Sequence, residues 1–499
     1  MSAYTIFSIA MLLLYSAAML YVGIGRAYDK NVVSSTRGYF IGGGTGYFIL
    51  FFTTAATWFS TWIYMGAPGS FYKNGVGWVA GACWQLFIMF LMGVFGTRFW
   101  RLSKSHGYVT PADLLDGYYH SAGLRKTISL GQLIFCFPYI MAQISGVGLA
   151  VQTLTGGVIP FWAGCVYSAA IVGLYVYFGG FKSQAWVDTM QGIMFTVILW
   201  ITVFVMVKNN GGGGIAGIFA AVENAGTNLL NYVTGEGYWT WKMYVSFFLI
   251  QAIGGFFAPY VWQRQYAAKD GKTIKKICGT LGLFYCFAIM LPVMLVGFGG
   301  VALGVESANA DNIMVATMTQ FAPYWAVFVV VGILAAGMST ISSILVCASS
   351  LVTMDWYVAS KPDADPAKVA KFSRGSVIVL LIAALILAMS KFQGIVLLVN
   401  TALAGFMQAV FPALGALFWK RSTKWGAGIG FAAGILVVLI LTATGINLLG
   451  FAPGFWGFVA NGVLFVVVSL LTQPVSAKQR AEFLAPLEKT KVFPETTNI

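Results

Sequence analysis

The feature that most constrains this chain is a succession of apolar stretches, each about 20 residues or longer, separated by short segments that carry nearly all of its charge. A helix needs about 20 apolar residues to cross the bilayer's hydrocarbon core. Inside that core every backbone amide must be paired within the protein, so only helices and closed barrels span it. Long unbroken apolar runs select helices. Thirteen spans are expected, near 4–25, 45–72, 76–97, 128–154, 158–179, 186–207, 238–262, 277–303, 322–354, 375–390, 393–419, 425–446 and 455–473. The expected fold is an all-α polytopic membrane protein, with a single transmembrane domain over 1–473 and a mobile cytoplasmic tail over 474–499. The segments 208–237 and 304–321 are expected to be external loops.

Charge tests the span count. Only 9% of the residues are charged, against about 25% in soluble domains, so the bilayer is a large part of this chain's solvent. The formal charge of +14 does not indicate a nucleic-acid partner, because the basic residues sit between spans. With the N-terminus outside and the C-terminus inside, all Lys and Arg except Lys73, Lys208, Lys242 and Lys391 fall on the cytoplasmic side, as the positive-inside rule requires. The first span has no basic residue before it, and Arg26 and Lys30 follow it. A cleaved signal has the opposite polarity, so this span is expected to stay. The expected location is the inner (plasma) membrane. The six cysteines lie in apolar stretches without a CxxC pair, and the two histidines, His106 and His120, share one polar loop. That pattern offers no catalytic or metal-binding cluster, and no enzyme activity is expected.

Irregular backbone within a span is tolerated only where it lines a protein or water cavity, so breaks point to a binding site. The second span is rich in hydroxyls from Thr53 to Thr61, including Thr57 and Ser60 beside Trp58, and ends in Gly66-Ala67-Pro68-Gly69. The seventh carries Gln251, Gly254-Gly255 and Pro259-Tyr260, a combination that loosens a helix. The ninth carries Ala335-Ala336-Gly337-Met338-Ser339-Thr340, where small residues let another backbone approach. Two hydroxyls with facing carbonyls make an uncharged oxygen cage suited to sodium; a small-residue packing face is the plainer reading of the same pattern. Asp188 is the one carboxylate within reach of a span, at the cytoplasmic start of the sixth. A cap or anchor role competes there with a role in ion movement.

The stretch Tyr177-Phe178-Gly179-Gly180-Phe181-Lys182-Ser183-Gln184-Ala185-Trp186-Val187-Asp188-Thr189-Met190-Gln191 resembles the signature of the sodium:solute symporters. Met65 to Gly69 with Tyr72 to Gly75 and Gly77-Trp78-Val79 is similar to the second span of the pantothenate branch. Ala335 to Thr340 is similar to the family's sodium-site helix, and Thr110 to Leu115 to its cytoplasmic loop. The resemblance implies a five-plus-five inverted repeat with broken helices, about 45–207 and 238–419, and a co-transported sodium ion. It implies sodium ligands at Ala56, Phe59, Ala336, Ser339 and Thr340, and an ion-exit role for Asp188. Trp58 stands where the proline transporters carry an aspartate, Tyr260 where the family has histidine, and Gly254 where the sugar transporters have a gating tyrosine.

The expected function is sodium-coupled import of a small polar solute, a carboxylate in the pantothenate-like branch, by alternating access in a monomer. Thr57, Trp58, Ser60, Gln251 and Tyr260 are the expected solute contacts. A proton-coupled symporter and a non-transporting sensor on the same fold are the rival readings.

Overall fold

The computed structural model describes residues 3–211, 213–225, 228–232, 238–390 and 394–488. Lys391, part of the loop between the tenth and eleventh spans, and the tail beyond 488 lie outside them. Among the described residues the regular elements are all helical. Ten helices are long and apolar enough to cross a membrane: Ala3–Arg26, Val76–His106, Ala122–Leu154, Phe161–Asn209, Gly271–Ala302, Pro323–Val358, Pro366–Ser390, Ile395–Phe418, Lys424–Thr444 and Pro453–Leu471. Two further spans are broken, Tyr47–Trp58 with Trp62–Asn74 at 54°, and Trp241–Phe257 with Pro259–Ala267 at 42°.

The 49-residue helix Phe161–Asn209 would be about 74 Å long if straight, more than twice the hydrocarbon core. It turns back at Gly180, whose φ of 53° and ψ of −145° leave the helical region. A Cβ on Gly23 would meet Tyr175 Cβ at 2.8 Å and Val187 Cγ2 at 3.1 Å. Those two residues flank Gly180 and would be about 18 Å apart along a straight helix. The helix is therefore an antiparallel pair, the fifth and sixth spans, which makes thirteen spans among the described residues.

The span positions agree with expectation to within a few residues at the end away from the basic loops. At the basic end, several helices run on. The third continues to His106 and the tenth begins at Pro366, so residues read as loop cations, such as Arg98, Lys104, Lys371 and Arg374, sit on helices projecting beyond the apolar core. Other departures are the helices Gly214–Asn224 and Ile313–Phe321, in segments expected to be external loops. The tail was expected to be mobile, yet Ala477–Glu488 is helical. Phe483 buries itself 5.3 Å from the Tyr118 ring, and Gln479 Nε2 donates to Tyr118 O at 2.6 Å.

The basic segments converge on one end of the bundle. Thr45 N donates to Ala267 O at 2.7 Å, Lys182 pairs with Asp29 at 2.6 Å, and Arg37 Nη2 donates to Ser103 O at 3.2 Å. Lys182 holds the half-buried Asp29 carboxyl below its ordinary range. The ninth span, Pro323–Val358, is entirely buried over an 18-residue stretch, and both broken spans pack against it.

Candidate functional site

The site begins with carbonyls that lose their helical partners. In an intact helix the carbonyl of residue i accepts from the N–H of i+4. In the second span Thr61 N instead donates to Gln143 Oε1 at 2.9 Å, Trp62 N to Ser60 Oγ at 3.2 Å, and Ile63 N to Ser60 O at 3.0 Å. These three bonds release the carbonyls of Thr57, Trp58 and Phe59 from the ladder. Phe59, at φ −90° and ψ 56°, is where the first half-helix ends. Gln143, from the fourth span, also accepts from Thr61 Oγ1 at 2.7 Å and so fixes the break.

The ninth span faces this opening. Ser339 Oγ donates to Ala56 O and to Ala336 O, each at 2.9 Å. Thr340 Oγ1 lies 3.0 Å from Thr57 O and 3.1 Å from Ala336 O. Close approach is possible because Gly337 has no side chain: a Cβ there would stand 3.0 Å from Thr61 Cγ2 and 2.8 Å from Val147 Cγ2. Of the five expected ion ligands, Ala56, Ala336, Ser339 and Thr340 are thus brought together by direct bonds. Phe59 lies on the same break, its ring stacked 5.3 Å from Tyr285. Thr57 O joins the cluster although the sequence marked Thr57 only as a solute contact.

Below the break, toward the basic end, lies a buried ionic network. Asp188 is fully buried, not at the interface as the sequence implied, because the helix restarts at Phe181 and carries it two turns inward. Its carboxylate accepts from Thr53 Oγ1 at 2.7 Å, Ser343 Oγ at 3.2 Å, Ser342 Oγ at 3.3 Å and Gln184 Nε2. Arg264 Nη2 stands 3.6 Å away. Arg264 was counted among the cytoplasmic loop cations, but it is only 2% exposed. Its guanidinium donates to Ser343 Oγ at 2.6 Å, Thr53 Oγ1 at 3.2 Å, Tyr260 O at 2.9 Å and Thr57 Oγ1. One side chain thereby ties the seventh span to the second, sixth and ninth. The sequence did hold a signal for it: Pro259 starts a new helix, which carries Arg264 past the expected end at 262.

A second buried network lies farther toward the basic end, in the Thr110–Leu115 motif. Asp113 accepts from Val109 N at 2.8 Å and Thr110 N at 3.1 Å. Thr110 Oγ1 donates to Asp355 at 2.9 Å, and Arg125 Nε to the same oxygen at 2.7 Å. Burial, reinforced by the Asp355 carboxyl, pushes the Asp113 carboxyl up to about 7.

On the other side of the break is a small cavity of about 20 Å³, bordered by Trp58, Trp62, Gln85, Tyr139, Gln251 and Tyr260 among others. That volume is about right for one water molecule, so a solute enters only after the surrounding spans part. Bordering donors that include Trp58 Nε1, Trp62 Nε1, Gln85 Nε2 and Tyr285 Oη are buried without a hydrogen-bond partner among the described residues. Gln251 Nε2 donates to Asn400 Oδ1 of the eleventh span. Above the cavity Trp62, Trp78, Trp84 and Trp239 pack in an aromatic layer with centroid spacings of 5.3 to 5.8 Å.

Of the expected solute contacts, Trp58, Gln251 and Tyr260 border the cavity, and Thr57 and Ser60 do not. The Thr57 hydroxyl is taken by Arg264, Thr53 O and Ser343. Ser60 caps the second half-helix. Both face backbone donors or a buried cation, which their position in a hydroxyl-rich run did not reveal.

The model of the sodium:solute symporter family matches residues 39–434. The osmoregulated proline transporter OpuE of Bacillus subtilis is 28% identical over 94% of this chain and 95% of its own length. The sodium/pantothenate symporter of Escherichia coli is 27% identical over 89% and 92%. Among solved structures, the substrate-bound, outward-open state of a Na+-coupled sialic acid symporter superposes with a TM-score of 0.77 at 22% identity, over 94% of this chain and 99% of that one.

Proposed function

The chain belongs to the sodium:solute symporter family, and from that premise we propose how its sodium-coupled import of a solute across the plasma membrane is carried out. Sodium, as cargo, sits between the break of the second span and the ninth span, held by the carbonyls of Ala56, Phe59 and Ala336 and the hydroxyls of Ser339 and Thr340. The observation that carries this reading is the pair of hydroxyls bonded at 2.9 and 3.0 Å to carbonyls of the broken helix. When the ion arrives, each hydroxyl turns a lone pair toward it, and neutral oxygens replace its water. The inverted repeats are 45–207 and 238–419, the N-terminus faces outside and the tail the cytoplasm, and the unit that works is a monomer without enzyme activity.

The solute binds across the aromatic cavity against Trp58, Gln251 and Tyr260. It bears a carboxylate, because the cavity offers several N–H and O–H donors and no acid. An unpaired buried donor costs about 1–3 kcal/mol, which a carboxylate recovers by accepting from it. Because the ion ligands and Trp58 share one break, sodium binding orders the segment that the solute touches. Coupling follows if sodium favours the solute-binding conformer. Membrane voltage adds about 2.3 kcal/mol per charge per 100 mV. Asp188 lies on the cytoplasmic exit route, where its attraction for sodium competes with its bond to Arg264.

The test is sodium-dependent uptake in proteoliposomes for the Ser339→Ala/Thr340→Ala double variant. Two ligands worth about 1.5–3 kcal/mol each predict a rise of at least about a hundredfold in the sodium concentration for half-maximal uptake. Uptake that keeps its sodium dependence in the double variant, or follows a pH gradient without sodium, overturns the reading.

A further inference from the structure

Away from the transport route, the fifth and tenth spans leave a groove of about 520 Å³ on the outer face of the bundle, lined almost wholly by carbon. Gly173 forms part of its floor; a Cβ there would stand 2.9 Å from Leu381 Cδ2. The walls include Val166 and Leu174 on one side and Ile378, Ile382 and Leu385 on the other. The fifth-span lining, Val166 to Tyr177, is about 16 Å of helix; the tenth-span lining, Ile378 to Leu385, is about 10 Å and reaches about 16 Å with Arg374 one turn on, roughly half of the 30 Å hydrocarbon core. The groove is therefore one leaflet deep.

Its basic end is not apolar. Lys371, Arg374, Ile378, Leu381, Ile382 and Leu385 recur at helical spacing, so the two cations continue the groove's own stripe by two turns. Among the described residues the ion pairs leave both without a carboxylate, and Arg374 Nε is buried with no hydrogen-bond partner. Arg374 also lies within electrostatic reach of Tyr39, whose hydroxyl donates to Val176 O at 2.9 Å beside the groove's foot. A leaflet-length apolar channel ending in two unpaired cations complements one chemistry: a hydrocarbon chain attached to an anionic head.

We propose that this groove holds one anionic phospholipid, with an acyl chain between the fifth and tenth spans and the phosphate on Arg374 and Lys371. The leaflet is cytoplasmic by the orientation given above, but the site does not depend on that orientation. The bound lipid fills the space between a helix of each repeat, where the two must slide if the repeats rock.

The experiment is native mass spectrometry of the full-length protein, stripped of lipid and offered phosphatidylglycerol or phosphatidylcholine with the same chains. The expected result is one retained phosphatidylglycerol per monomer, with phosphatidylcholine lost. Each cation removed should weaken retention about fivefold, so K371Q/R374Q should lower it roughly twenty-five-fold. A170W, on the lipid-facing edge of the groove, should abolish retention with both cations intact. Equal retention of the two lipids by the unmodified protein overturns the proposal, whether or not the variants fold. So does phosphatidylglycerol retention that survives both variants, displacement of the lipid by millimolar inorganic phosphate, or a dimer that A170W dissociates without any lipid being lost.

Discussion

The breaks in the second and seventh spans use the same backbone device and arrive at different chemistry. At the first, residues 59 and 60 leave the helix, and Gln143 and Ser60 hold the N–H groups that would have closed it. Its freed carbonyls face Ser339 and Thr340. At the second, only Ala258 leaves the helix, and its carbonyl is recaptured at once by Val261 N at 2.9 Å and Trp262 N at 3.2 Å. That segment faces rings: Tyr260 lies 5.9 Å from Tyr139 and 6.2 Å from Phe406. A broken helix is thus not in itself an ion site. The helix lying opposite decides whether its carbonyls meet hydroxyls or carbon.

The strongest challenge to this contrast is the bond that joins the two breaks. Replacing Asp188 by Asn strands the Arg264 charge in the core, and Arg264→Gln strands the carboxylate. Either should cost about 3–5 kcal/mol in detergent unfolding, and the double variant should cost less than the sum. Strict additivity would mean that the pair does not tie the breaks together.

Gln143→Ala removes the acceptor that keeps the first break open. It should cost about 1–3 kcal/mol and raise the half-saturating sodium concentration severalfold at saturating solute. An unchanged sodium curve would move the cause of the break elsewhere. At the second break, Gln251→Ala should raise the solute KM about tenfold, equivalent to about 1.4 kcal/mol, and leave sodium half-saturation at saturating solute nearly unchanged. If both curves shift alike, the division of labour between the breaks fails. The smallest effect on folding is expected for Trp58→Phe. It deletes a buried donor that has no partner, so stability should change by less than about 1 kcal/mol while solute KM rises severalfold.

The span count, the positions of the spans and the gathering of basic loops at one end were all legible in the sequence, because hydrophobic length and charge are local properties. The second and ninth spans were also marked, by their hydroxyls and small residues, but Ala56 as the partner of Ser339 and Thr340 came from the resemblance to the family. Arg264 and Gln143 were not legible. Arg264 reads as one more loop cation until the bend at Ala258 turns its helix inward. Gln143 reads as an ordinary polar residue in a long span until Thr61 is brought to it. Thr57 and Ser60 were marked by composition, but their hydroxyls serve Arg264 and the restarting helix.

By itself, then, the sequence determined the solvent of each segment, since transfer of an apolar stretch into a bilayer depends only on what the stretch contains. It also marked the break before Pro259, since Pro acts on its own backbone; the break at Phe59 and Ser60 holds neither Gly nor Pro and was set by the fold. The tertiary structure alone decided which freed carbonyl meets an oxygen and which buried charge meets its counter-charge. Those pairings join residues as far as 283 positions apart, and their energies depend on distances that only the packed bundle sets.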